Sequence, residues 1–132
     1  MFGKRTKNKK LEWEKDEIAQ KMVKQFATTD HFKHVKSDRI FCYRTTGSKA
    51  RAYARIWAFP KIFQDALDLE PAYVIECLSE KFDKLNEKDK KKVIIHELLH
   101  IPKNFSGSLL PHKYGHKRIE TEVKKIYNAL KI

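Results

Sequence analysis

Residues 93–101 read V-I-I-H-E-L-L-H-I, and this stretch decides how the rest of the chain is read. On a helix, side chains four apart share a face, so the imidazoles of His96 and His100 lie one above the other and can grip one cation. Glu97 sits beside both. Val93, Ile94, Ile95, Leu98, Leu99 and Ile101 surround these three polar residues, so the helix is apolar almost all the way round and belongs in a core. Two imidazoles and a carboxylate are costly to bury unless something satisfies them, and a divalent metal satisfies all three. The bland alternative is a pair of core histidines held by ordinary hydrogen bonds. Pro102 comes just after the motif and helps end the helix without breaking it.

His96-Glu97-x-x-His100 is the zincin spacing, in which a third protein ligand completes the metal site and one position stays open for water. The metzincin variant requires Gly and His where this chain has Lys103 and Ser106, and is excluded. The third ligand must therefore come from further on, among His112, His116, Glu120 and Glu122. His112 is favoured. It follows Pro111 at the end of a loop, residues 102–111, whose Ser106-Gly107-Ser108 can turn the chain back to the metal helix. His116, four residues on, is the alternative ligand or a transition-state donor; Tyr114 and Arg118 are further donor candidates. Glu76, Glu120 and Glu122 are candidates to orient an imidazole from behind, though each reads first as an ordinary surface or strand-end carboxylate.

Around the motif, the periodicities predict an α+β fold: a small, mainly antiparallel sheet packed against the His96–His100 helix, with N- and C-terminal helices. A helix is expected over residues 12–27, where Ile18, Met22 and Phe26 recur with Ala19 and Val23 beside them. Strands are expected at 39–43, 51–59 and 72–78, with turn chemistry at Thr45-Thr46-Gly47-Ser48. In the second strand Ala52, Ala54, Ile56 and Ala58 line one face, small enough for close approach of a helix. Pro60 opens a short helix through 67. Asn86 caps the metal helix, whose acidic first turn (Glu87, Asp89) suits the dipole and which runs to about residue 101. A last helix covers 117–130. If the 72–78 strand is an edge, an extended peptide can add alongside it and cross the metal.

Residues 1–10 carry Lys4, Arg5, Lys7, Lys9 and Lys10 with little apolar content, and read as a basic flexible tail ahead of a single domain over 11–132. At 132 residues the chain can bury one modest core. No apolar run approaches the length of a membrane span, and no hydrophobic stretch follows the basic start, so a cytoplasmic protein is expected. Cys42 and Cys77 fall in strand-like segments and read as reduced core residues. The formal net charge of +12 favours acidic partners or nucleic acid. Against that, lysine-rich proteomes raise lysine everywhere, and the runs at 4–10 and 88–92 lack interleaved aromatics.

Several stretches carry a resemblance: A-R-I-W-A-F-P-K-I-F-Q at 54–64, Y-V-I-E-C at 73–77, F-D-K-L at 82–85, V-I-I-H-E-L-L-H-I-P-K-N-F-S-G at 93–107 and P-H at 111–112. Over residues 38–130 the chain resembles a phage and archaeal metallopeptidase family. The likeness implies a compact zincin-type domain, with His96, His100 and His112 as ligands to one Zn2+ per chain and Glu97 as base. It is more distantly similar to SprT-like protease domains, which act on proteins bound to DNA; no obvious zinc ribbon or DNA-binding module of the kind that often accompanies those is read in these residues. The expected activity is peptide hydrolysis through a metal-activated water. The competing readings are a non-catalytic zinc-containing or nucleic-acid-associated binding protein, and hydrolysis of a non-peptide amide at the same metal.

Overall fold

The computed structural model describes residues 10–112 and 116–130, which form an α+β arrangement of one four-stranded sheet and five helices. β1 (Glu12–Lys15) lies antiparallel to β2 (Ile40–Thr46), β2 runs parallel to β4 (Tyr73–Leu78), and β3 (Ala54–Trp57) pairs antiparallel on the far side of β4. The sheet order is therefore β1-β2-β4-β3, two antiparallel pairs flanking one parallel pair. The helices are α1 (Glu17–Ala27), α2 (Lys61–Leu67), α3 (Ser79–Phe82), α4 (Glu87–Leu98) and α5 (His116–Leu130).

Two expectations are corrected, and one condition set out above is not met. Residues 12–15 are a strand and not the first turn of a helix: all four are exposed, and they are ordered by backbone pairing with residues 43–46. The helix begins only at Glu17, after Asp16 accepts a hydrogen bond from the Ala19 amide at 2.9 Å. In consequence Ile18 is 66% exposed, and the buried stripe is Ala19, Met22, Val23 and Phe26. The 72–78 strand is not an edge; β4 is paired on both sides, and β1 and β3 are the edges. The helix that carries His96 is also shorter than expected. It ends at Leu98, and His100 sits in the tightened turn that follows, its amide bonded to the Glu97 carbonyl at 3.1 Å.

Parity of the sheet decides where the core lies. Ile40, Cys42, Ala54, Tyr73, Ile75 and Cys77 point to one face, where they meet α1, Ile94, Ile95 and Leu98 of α4, and Val123 and Ile126 of α5. Each buried isoleucine, leucine or valine of this layer contributes roughly 1.5–3 kcal/mol by leaving water, which helps to hold α4 in place. Asn86 accepts from the Asp89 amide at 2.8 Å and fixes the start of α4, as its sequence suggests. Cys42 and Cys77 are buried and free. Burial pushes the Cys42 thiol up to about 12, with Asp16 adding to it, and raises Cys77 as well. Residues 1–9 of the expected tail lie outside the described residues. No described helix is long and apolar enough to cross a membrane.

Candidate metal centre

The last turn of α4 presents His96 half-buried and the turn after it presents His100 buried, with ring centroids 5.3 Å apart. The chain then leaves in residues 102–111 and comes straight back. Its return is stitched by a reciprocal pair: the Leu110 amide donates to the His100 carbonyl at 2.8 Å, and His100 Nδ1 meets the Leu110 carbonyl at 2.6 Å. Two residues later His112 lies over both rings. Its Nε2 is 2.9 Å from Nε2 of His96 and 3.2 Å from Nε2 of His100. Candidate ligand atoms of His96, His100 and His112 all lie within 4.8 Å of one another.

The protonation pattern follows from the outer partners. A carbonyl oxygen only accepts, so His100 Nδ1 carries the proton and its Nε2 is a bare lone pair. His96 Nδ1 faces the exposed Glu120 carboxylate at 3.5 Å, which sets the same tautomer. Burial lowers the pKa of both rings, and their mutual proximity lowers that of His96 further, so both are neutral donors near pH 7. Two lone pairs thus aim at the nitrogen of His112. One proton there can satisfy one of the two contacts; one cation satisfies all three rings. The donor set fits a divalent metal.

The loop that carries His112 is held on its other side by Tyr73. The Tyr73 hydroxyl accepts from the Gly107 amide at 2.8 Å and donates to the Ser108 carbonyl at 2.8 Å. Gln64 Nε2 reaches the Ser106 and Phe59 carbonyls, and the Phe59 amide bonds the Gly107 carbonyl. Gly107 has φ +96°, and a Cβ there would meet the Phe59 oxygen at 2.4 Å. Only glycine fits this crossing.

The sequence pattern of the family described as "Putative phage metallopeptidase" matches residues 11–131, nearly the whole chain. The chain belongs to this family. Membership of the phage metallopeptidases implies a metal cofactor and peptide or protein substrates, and the histidine triad is a place where a metal ion can be held. No curated protein and no solved structure matches the chain.

In this member of the family the triad lies on a cleft of about 960 Å³, walled by Tyr53 and the β3 residues Ala54 to Ile56, by α4 and by α5. Glu97 is 8% exposed and lines the same cleft, and burial raises its carboxyl to about 8. Of the other sequence candidates, Glu120 stands behind His96, whereas Glu122 faces Lys125 at 3.8 Å on the surface of α5. Glu76 is buried on the opposite face of the sheet, bonded to Thr45, Arg55 and Trp57, and takes no part here. Tyr114 lies outside the described residues, as do the side chains of His116 and Arg118. Sequence reading missed Tyr73, Gln64 and Leu110 as the fastenings of the loop. A tyrosine in an apolar strand carries no local sign of what its hydroxyl will meet.

Proposed function

We propose that the chain is a zinc-dependent peptidase in which His96, His100 and His112 hold the ion through Nε2 and Glu97 is the general base. The observation that supports this most is the meeting of three Nε2 atoms, two of them, on His96 and His100, belonging to rings whose outer nitrogens are already engaged. His112 Nε2 lies 2.9 and 3.2 Å from Nε2 of His96 and His100, and the ligand atoms of all three rings fall within 4.8 Å of one another, so these three residues would hold the ion. When bound, zinc supplies an electrophile for the scissile carbonyl and a means of acidifying water near neutral pH.

The chain's own residues do the rest. The Leu110 carbonyl and Glu120 keep Nδ1–H of His100 and His96 turned outward, so the lone pairs face the cleft without any ring having to rotate. Glu97 takes a proton on its carboxylate from the attacking water and returns it to the leaving amine. Its burial alone favours the protonated acid; a neighbouring positive charge brings the carboxylate form back within reach. The Ala54–Ile56 edge offers unpaired backbone next to the triad, so an extended peptide adds to β3, not to β4, and passes the histidines in the cleft.

The test is metal content by plasma mass spectrometry alongside cleavage of an unstructured protein such as casein. Wild type should carry one zinc per chain and cleave. Glu97→Gln should keep the zinc and lose turnover by roughly 10²-fold or more. Full cleavage by Glu97→Gln would refute the assignment of the base. Unchanged zinc in His112→Ala would refute the third ligand.

A further inference from the structure

The sheet face turned away from the core leaves large aromatic side chains exposed, and it has an unusual make-up. Parity of the pairing directs Leu11 and Trp13 of the β1 side, Phe41 and Tyr43 of β2, Val74 and Glu76 of β4, and Arg55 and Trp57 of β3 to this side. Trp13 is 61% exposed and Trp57 51%, with Phe41 also exposed. These are the chain's two tryptophans. Between them runs a shallow groove of about 560 Å³, floored by Tyr43 and Val74.

Under the groove sits a buried carboxylate whose bonds fix what lies above it. Glu76 Oε1 accepts from Trp57 Nε1 at 2.9 Å and from Arg55 Nε at 3.0 Å, while Oε2 accepts from the Thr45 hydroxyl. The Arg55 guanidinium thereby lies 5.4 Å from the centre of the Trp57 ring. One cross-strand row reads Lys15, Tyr43, Glu76, Arg55, and the Arg39 guanidinium lies 5.9 Å from the Phe41 ring. Of the residues that these four strands turn to this side, Glu76 is the one carboxylate, and it is already neutralised by Arg55.

Rigid aromatic rings with cations beside them, in a chain of net charge +12, suit one class of occupant. Unpaired bases stack on aromatic and guanidinium planes whatever their sequence, and phosphates are drawn to the flanking cations. We infer that the open face of the sheet is a binding platform for single-stranded nucleic acid, with Trp13, Tyr43 and Trp57 as stacking surfaces and Lys15, Arg39 and Arg55 meeting the backbone. A second copy of this chain is the less favoured occupant, because it would bring two strongly positive molecules together. The platform is separate from the peptidase reading: no residue of the histidine triad contributes to it.

The experiment is titration of the full chain with fluorescein-labelled dT12, and with a duplex of the same length, by anisotropy and by quenching of tryptophan emission. Both tryptophans lie on this face, so stacking must quench. Expected are preference for the single strand, a roughly 5- to 150-fold loss of affinity in Trp13→Ala, recovery in Trp13→Phe, and a shallower dependence on salt, by roughly 0.7 in logarithmic slope, in Lys15→Gln. Trp13→Ala should retain the wild-type circular dichroism and any peptidase activity. Equal binding of duplex with no effect of Trp13→Ala would mean that charge alone attracts the oligonucleotide, and the proposal falls. It falls equally if dT12 is not bound at low salt, or if sedimentation shows a dimer that Trp13→Ala dissolves.

Discussion

A histidine pair four residues apart is legible from sequence because helical spacing predicts that the rings share a face, and the turn that follows α4 keeps them together. Identifying the third partner required the loop, and the signal for it was weak: Pro111 before His112 and a glycine four residues earlier. The behaviour of Glu76 was not legible at all. Its place in Y-V-I-E-C-L looks like a strand-end carboxylate, yet the residue is 5% exposed and bonded to three side chains that come from two other strands. Burial by itself would raise its pKa, but donation by Thr45, Trp57 and Arg55 outweighs that and holds the carboxyl below its ordinary value. A depressed folded-state value stabilises the fold above the unfolded pKa of about 4.3 and loses that contribution as pH falls through the folded one. Glu76→Gln should therefore cost about 1–3 kcal/mol in urea unfolding at pH 7. The gap between variant and wild type should close as pH falls below the unfolded value and through the depressed folded one, and a gap that persists in acid would contradict the ion-pair account. The thiols give a second prediction at this scale. Cys42 and Cys77 should resist iodoacetamide at pH 8 in the folded chain and react fully in denaturant, because burial keeps both protonated.

At the scale of elements, the clearest misreading was β1. A strand normally announces itself by alternating burial, but Glu12–Lys15 buries nothing and exists because β2 offers it backbone partners. The capping pattern that opens at Asp16 was the signal available in its place. α4 was legible almost to the residue at its start, since Asn86 and the acidic first turn are local chemistry; its end depends on how His100 is drawn into the loop by Leu110. Residues 102–111 are the element on which the site depends. Gly107→Ala places a Cβ against the Phe59 oxygen at a positive φ, so the loop must shift. The expected outcome is weaker zinc retention, by about 10-fold or more in a chelator competition, with the melting temperature changed by only a few degrees. Tyr73→Phe removes the hydroxyl shared by Gly107 and Ser108 and should reproduce the same loss in milder form. If both variants bind zinc as wild type does, the loop does not position His112.

For the molecule as a whole, fold class was legible because hydrophobic periodicity marks helices and strands, whereas sheet order was not. Which strand sits in the middle depends on long-range pairing; the segment after β2 passes over to the far side and leaves β4 to fill the gap. That order puts the β3 edge on the histidine cleft and the aromatic face on the reverse. Stability should respond to metal as a ligand of the folded state alone. At free zinc about a thousand times its dissociation constant the gain is about 4 kcal/mol, which is roughly 10 to 20 °C in melting temperature for a chain of this size. Calorimetry with and without EDTA measures it, and His112→Ala should show little of the difference.

The fastening of the His112 loop by Tyr73, Gln64 and Phe59 bears on how quickly the protein loads. These ties lie outside the imidazole cluster, so the pocket need not be assembled around an arriving ion. Stopped-flow uptake of zinc by chelator-stripped protein should then be a single phase whose rate climbs in proportion to zinc concentration, with no slow plateau from a rearranging chain.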